Sequence, residues 1–218
     1  MKLILDLGSG NTLTDSDVAI NLIDEIIKRD TGKHDIVFKT QLFESAPPNV
    51  PLDFAVFHQA WSHAMDKGYH LTSSVFDANS IEFLLTFDSE YWPLPFIKIA
   101  CRPDLYWLIG EIPRRIPVYV STENVQHYVT NEIEGQPCDI ITDDVLLCVR
   151  EYPAKAEDYK LSPLIAPHGV SDHTVGWELF KSVETKRIWE KHVVPEHNDT
   201  NPDAGAFAVT PEELEEIL

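Results

Sequence analysis

Apolar residues along this chain follow two periods, and the two alternate. Short apolar runs at 3–7, 35–40, 70–76, 96–100, 117–122, 145–151, 165–171 and 187–194 have the length of buried strands. Segments with helical spacing lie between them. Val18, Leu22 and Ile26 fall on one helical face behind Thr14 and Asp15, both able to cap a helix start. Residues 54–65 read as a helix stopped by Gly68, and 80–86 as a short helix capped by Asp77. Further helices are expected over 105–112, 123–133 and 174–185, with a weaker one in 156–164. Thr210 and Pro211 open a final helix in the N-cap, N1 order.

Eight strand–helix units in alternation imply a mostly parallel sheet with right-handed crossovers. A closed barrel needs eight such units, and 218 residues lies near the low end of its size range. The predicted fold is α/β, a compact single-domain (β/α)8 TIM barrel spanning 1–218. An open doubly wound sheet is the alternative. It normally carries a glycine-rich phosphate loop after the first strand, and Gly8-Ser9-Gly10 lacks the third glycine. No repeat or interdomain linker interrupts the pattern, and the polar loop at 197–205 is the expected mobile segment.

Composition narrows the setting. Hydrophobic residues make up 44% and charged residues 24%, as in ordinary soluble proteins. Three cysteines without a CxxC pair make a disulfide framework a poor reading and a reducing compartment a better one. The N-terminal apolar run is interrupted by Asp6, too early for a signal peptide, and no run approaches the roughly 18 residues of a membrane span. A cytoplasmic protein is therefore expected. The net charge of −19 argues against nucleic acid and anionic membrane as partners. It leaves room for a small anionic ligand in a cleft that gathers some of the 17 basic residues.

In a barrel the functional groups gather at the C-terminal ends of the strands. Polar residues collect at the predicted ends: Asp6, Lys39, Gln41, Ser73, Ser74, Lys98, Ser121, Thr122, Arg150, Tyr152, Ser171, His173, Glu190 and His192. Residues i and i+2 of a strand face one side. Lys39 with Gln41, Arg150 with Tyr152, Ser171 with His173 and Glu190 with His192 are such pairs. Pointing inward together, they make a cationic mouth suited to an anion. His173 and His192, on the last two strands, would then be neighbours, and two imidazoles with oxygen donors suit a divalent first-row cation. Taken singly, each histidine is more often a hydrogen-bonded structural residue, and each lysine a solvated rim residue.

These residues resemble the barrel domain of the sialic acid (N-acetylneuraminate) synthase family. Ser171-Asp172-His173-Thr174-Val175-Gly176 is similar to the family's SDHT-x-G, and Glu190-Lys191-His192 to its EKH. Phe38-Lys39-Thr40-Gln41, Ser73-Ser74-Val75-Phe76-Asp77, Ile97-Lys98-Ile99-Ala100, Ser121-Thr122 and Tyr152-Pro153 match other family segments in order, as do Pro202-Asp203 and Pro211-Glu212-Glu213-Leu214. The resemblance implies an enzyme, a carbon–carbon bond-forming transferase of carbohydrate biosynthesis. It would condense phosphoenolpyruvate with an amino sugar or other aldose and release phosphate. His173 and His192 would hold a divalent metal, Mn2+ or Mg2+. Asp6 and Lys98 would join them in catalysis. Lys39, Ser74, Ser121 and Ser171 would bind phosphoenolpyruvate; Gln41, Tyr152 and Asp203 would touch the sugar. A homodimer is the assembly it suggests, and the family's C-terminal antifreeze-like domain is expected to be missing.

Several positions depart from the family pattern. Asp6 stands where the family carries a Glu, one C–C bond of about 1.5 Å shorter. Cys101-Arg102-Pro103 replaces a serine-glycine-acid segment, with Asp104 one residue further on as a substitute acid. Arg150 replaces a small polar residue and is counted as substrate-binding, while Glu123 replaces a glycine. These changes leave a second class of function open: a diverged barrel that binds a sugar, a phosphate compound or a protein partner without catalysis.

Overall fold

The computed structural model describes residues 1–45, 47–123, 132–133, 136–137, 144–160, 169–184 and 186–218. Strand β1 (Lys2–Asp6) has a parallel neighbour on each side, β2 (Asp35–Leu42) and the last strand, β8 (Ile188–His192). Between them run β3 (His70–Val75), β4 (Ile97–Ile99), β5 (Val118–Thr122), β6 (Asp144–Cys148) and β7 (Gly169–Asp172), each parallel to the next. The sheet therefore closes into an eight-stranded parallel barrel, and the open-sheet alternative falls. A short antiparallel pair, Glu132–Ile133 with Gln136–Pro137, lies between β5 and β6 in sequence.

Both faces of these strands are buried, which is why they read as near-continuous apolar runs. Leu3, Leu5, Phe38, Leu71, Ile97, Val120, Leu147 and Trp189 face outward into the helix layer. Ile4, Val37, Phe96, Tyr119, Leu146 and Ile188 point inward and plug the barrel floor, with the Phe96 and Tyr119 rings stacked at 4.3 Å. The next inward residue is polar on every one of these strands but β6, where it is Cys148, so the floor supports the site.

Three helices start at an aspartate cap, two of them, Asp15 and Asp77, read from the sequence. Asp15 accepts from Val18 N at α1 (Ser16–Ile27), Asp53 from Ala55 N at α2 (Phe54–Asp66), and Asp77 from Ser80 N at α3 (Ala78–Leu85). The connections after β4 and β7 differ from expectation. Residues 105–112 were expected to be α-helical; Pro103–Glu111 instead forms 3₁₀ turns. Residues 174–185 shrink to α4 (Glu178–Ser182). Asp172 takes the backbone N–H and hydroxyl of Thr174, and Gly176 has φ +54°, so the chain cannot enter a right-handed helix earlier. The last helix, α5 (Pro211–Leu214), carries the capping box of Thr210 and Glu213. The expected helix over 123–133 lies almost wholly outside the described residues, as do 161–164 of the helix expected in 156–164 and 165–168 of the seventh strand. Ala156–Asp158 is a single 3₁₀ turn. Among the described residues no helix is long and apolar enough to cross a membrane.

Candidate active site

A cavity of about 460 Å³ opens at the C-terminal ends of the strands, and every side chain assigned a site role from the sequence lines it. Its deepest layer is ionic. Asp6, Lys39, Lys98 and Glu190 are each no more than 5% exposed. Lys39 Nζ donates to Asp6 Oδ2 at 2.6 Å and to Ser74 Oγ at 2.9 Å, and lies 3.3 Å from Glu190 Oε1. Lys98 donates to the other Glu190 oxygen. Gln41 Nε2 adds a bond to Asp6 Oδ2 at 3.1 Å. Two ammonium groups and two carboxylates thus form one buried, neutral chain.

The charges hold each other in place. Burial pushes the Asp6 carboxyl up, but Lys39 and His192 beside it hold it well below the usual carboxylate range. Burial acts likewise on Glu190, and Lys98 and Lys39 bring it down to about 2. Lys39 is desolvated, yet Asp6 and Glu190 keep its pKa above the ordinary lysine value. Asp6, Lys39 and Glu190 are therefore ionised at neutral pH.

Above this layer sit the two histidines, with ring centroids 5.8 Å apart. His173 Nδ1 is 2.6 Å from the Val149 carbonyl, which can only accept, so Nδ1 carries the proton and Nε2 keeps a lone pair. Burial first, then the neighbouring His192, lowers the His173 pKa to about 3, so its imidazole is neutral. His192 Nε2 is 3.5 Å from Asp6 Oδ2, and its buried Nδ1 has no hydrogen-bond partner among the described residues. Phe207 packs edge-on against both rings, and Tyr152 lies 4.2 Å from His173. The imidazoles offer two nitrogen donors suited to a divalent cation. Among the described residues no cluster of three or more His, Cys, Asp or Glu side chains is arranged to hold an ion. Two imidazole nitrogens on their own fit an open site better than a closed four-ligand cage.

The other predicted residues surround this centre. Ser171 lines the wall, and the Ser121 hydroxyl is buried without a partner among the described residues. Asp203 reaches in from the loop after β8, and its Oδ2 accepts from Ser9 N at 2.8 Å and Ser9 Oγ at 2.7 Å. Gly8, at φ +81°, makes room for it: a Cβ there would lie 2.8 Å from that oxygen. The departures from the family pattern pair with one another at the rim. Arg150 Nη2 meets Glu123 Oε2 at 2.5 Å, and Arg102 Nη2 meets Asp104 Oδ2 at 2.6 Å. Asp104 is exposed and held by Arg102 outside the cavity lining, so the one-residue shift does not restore an acid in the site.

Alternate residues of each sequence motif face away. Ser171, His173, Glu190 and His192 point inward, whereas Asp172 and Lys191 lie behind the barrel wall with no exposed surface. Asp172 Oδ2 accepts from Trp189 Nε1 at 3.2 Å; Lys191 Nζ donates to the Thr174 carbonyl at 2.6 Å and lies 3.4 Å from Asp172 Oδ1. This outer lock fixes β7 against β8, and with them the two imidazoles. Sequence reasoning assigned no role to Glu190, Cys101, Cys148 or Phe207, all of which line the cavity. The parity of Glu190 with His192 was its signal; Phe207 lies between the polar loop and the last helix and carried none.

A closed parallel α/β barrel with an ionic, histidine-bearing cavity at its C-terminal mouth defines the class. The NeuB family profile matches residues 39–218, and the chain belongs to that family. No curated protein matches it. Among solved structures it is similar to the N-acetylneuraminic acid (sialic acid) synthetase of Leptospira borgpetersenii serovar Hardjo-bovis, in complex with citrate: 20% identity, TM-score 0.72, 98% of this chain and 80% of that one. It is also similar to a Chromobacterium violaceum protein described as spore coat polysaccharide biosynthesis protein E: 19% identity, TM-score 0.71, 99% and 72% coverage. A truncated 3-deoxy-D-arabino-heptulosonate 7-phosphate synthase of Thermotoga maritima shares the fold at 11% identity, TM-score 0.65, with 99% and 83% coverage. At these identities the structural likeness speaks to fold.

Proposed function

We propose that the chain is a carbon–carbon bond-forming synthase that condenses phosphoenolpyruvate with a sugar aldehyde and releases phosphate. The observation that carries this reading is the buried Asp6–Lys39–Glu190–Lys98 chain directly beneath the histidine pair. Family membership supports it, as do structural neighbours named as synthases of keto-sugar acids.

Lys39 and Lys98 bind the phosphate and carboxylate of phosphoenolpyruvate, with hydroxyls from Ser74, Ser121 and Ser171. Ser121 has its donor free for the purpose. C3 of the enol attacks the aldehyde carbon, water adds at C2, and phosphate leaves. At each stage negative charge grows on oxygen, and fixed cations in a dry cavity stabilise it. As substrate oxygens draw the two ammonium groups away, Asp6 and Glu190 lose part of their counter-charge. Their proton affinity rises, and one of them then takes the proton from the attacking water. His173 and His192 would hold a divalent cation, Mn2+ or Mg2+, which would supply Lewis-acid chemistry toward the aldehyde. Gln41, Tyr152 and Asp203 bound the sugar side. Arg102 and Arg150 line the mouth in exposed ion pairs, which exchange readily. They favour an acceptor with an anionic group at the end remote from the aldehyde.

The test is inorganic phosphate release from phosphoenolpyruvate and Mn2+ with a panel of aldoses, aldose phosphates and N-acetyl hexosamines. Release with at least one acceptor is expected. His173→Ala and His192→Ala should each remove the stabilisation by metal, about 4 kcal/mol at roughly 1,000-fold over Kd. No phosphate with any acceptor, and no metal binding by calorimetry, sinks the synthase reading. Phosphoenolpyruvate binding without turnover would instead favour the diverged, ligand-binding barrel.

A further inference from the structure

The segment from Val149 to Tyr159, which follows β6, grips His173 at four points. The ladder between β6 and β7 ends at the Cys148–Ser171 register pair, so the polar groups of the chain past it need other partners. Ala154 N donates to the His173 carbonyl at 2.8 Å. The Val149 carbonyl holds Nδ1 at 2.6 Å, and the Tyr152 ring lies 4.2 Å from the imidazole. The fourth contact comes from Tyr159, which the proposed reaction does not use. It follows the 3₁₀ turn Ala156–Asp158. Asp158 closes that turn by accepting from Lys155 N at 3.1 Å, and Tyr159 N donates to Ala156 O at 3.3 Å. The tyrosine is buried, and its hydroxyl donates to the Ser171 carbonyl at 2.8 Å and accepts from His173 N at 2.8 Å. One oxygen thus fixes the backbone on both sides of Asp172.

We propose that Tyr159 is a positioning residue: its hydroxyl holds the backbone of Ser171 and His173 so that Nδ1 of His173 stays on the Val149 carbonyl and Nε2 faces the cavity. The inference rests on the reading of His173 as a metal ligand, and it adds the residue that aims that ligand. A phenol suits the place because a single oxygen donates to one backbone group and accepts from the next. Without it the His173 N–H is a buried donor with no partner, and the end of β7 shifts to find one. The imidazole then loses its fixed register with the Val149 carbonyl, and its proton is free to sit on either nitrogen. A proton on Nε2 removes the lone pair that a cation needs. Tyr106 makes a bond of the same kind two strands away. Its buried hydroxyl donates to the Ser121 carbonyl of β5 at 2.9 Å. It therefore serves as a control for the loss of one buried tyrosine hydroxyl without disturbance of His173.

The experiment compares Tyr159→Phe and Tyr106→Phe with the parent, each as the full chain. Nitrogen-15 NMR of the metal-free protein at neutral pH reads the His173 tautomer, and calorimetry reads Mn2+ affinity. In the parent, His173 should carry its proton on Nδ1 alone. Tyr159→Phe should show both tautomers and bind Mn2+ about 10–100-fold more weakly, the range for losing a group that orients a metal-binding histidine. Tyr106→Phe should match the parent in both readings even where its melting temperature falls. A parent-like tautomer and affinity in Tyr159→Phe overturn the proposal. Equal losses in Tyr106→Phe overturn it as well, because they mark a general loosening of the barrel. Should Tyr159→Phe fail to fold, Asp158→Ala releases the turn from its exposed side, and an unchanged tautomer there overturns the proposal. A parent that binds no Mn2+ sinks the metal reading under the proposed function, while the tautomer, read without metal, still decides the role of Tyr159.

Discussion

Glu190 accepts from two ammonium groups at once, Lys98 on one oxygen and Lys39 at 3.3 Å on the other. Glu190→Gln would leave Asp6 as the one carboxylate facing two buried cations. Removing one partner of a buried pair costs about 3–5 kcal/mol, and chemical denaturation should show a loss of that order. The same variant should bind phosphoenolpyruvate more tightly by calorimetry, because its anions no longer compete with Glu190, while phosphate release falls. Unchanged stability would mean the lysines have other partners. At this scale the inward residues were legible because side chains alternate along a strand, which put Ser171 with His173 and Glu190 with His192. What each would touch was not, since no local pattern says which cation across the barrel meets Glu190.

Elements set how firmly these residues are held. Lys191 and Asp172 tie β7 to β8 from behind, with Thr174 and Trp189 completing the contact. Lys191→Met leaves Asp172 buried without its cation and should lower stability by about 3–5 kcal/mol, yet leave phosphate release per folded molecule close to the parent's. A large activity loss in the folded variant would contradict its outward placement. Gly8 answers for the loop after β8. Gly8→Ala forces a side chain into a left-handed φ and against Asp203, so about 1–2 kcal/mol should be lost. Limited proteolysis should then cut within 195–209 sooner than in the parent. Unaltered cleavage would show that Asp203 does not anchor that loop. Strand positions and capped helices were readable because apolar period and cap residues act locally. The segment after β7 was not, because the Asp172–Thr174 bonds override weak helical spacing.

Over the whole molecule, a net charge of −19 surrounds a cavity whose lining holds Lys39, Lys98, Arg102 and Arg150. Self-repulsion opposes the compact state and is screened within about 10 Å at 0.1 M salt. Sodium chloride added from a few millimolar to a few hundred millimolar should raise the melting temperature; a fall would indicate that ion pairs outweigh repulsion. The barrel seam has a consequence of a different kind. Asp6 and His192 are direct register partners across it, and Val193 N bonds the Asp6 carbonyl. On the ribosome, β1 emerges long before its partner β8. At synthesis rates of roughly 5–20 residues per second, β1 waits on the order of ten seconds or more with one hydrogen-bonding edge bare. For that interval the nascent chain is an apolar sheet with two open rims and a half-assembled set of buried charges. Emergence of the final strand supplies the closing ladder and the second imidazole in one step, so the barrel and its chemistry are completed together.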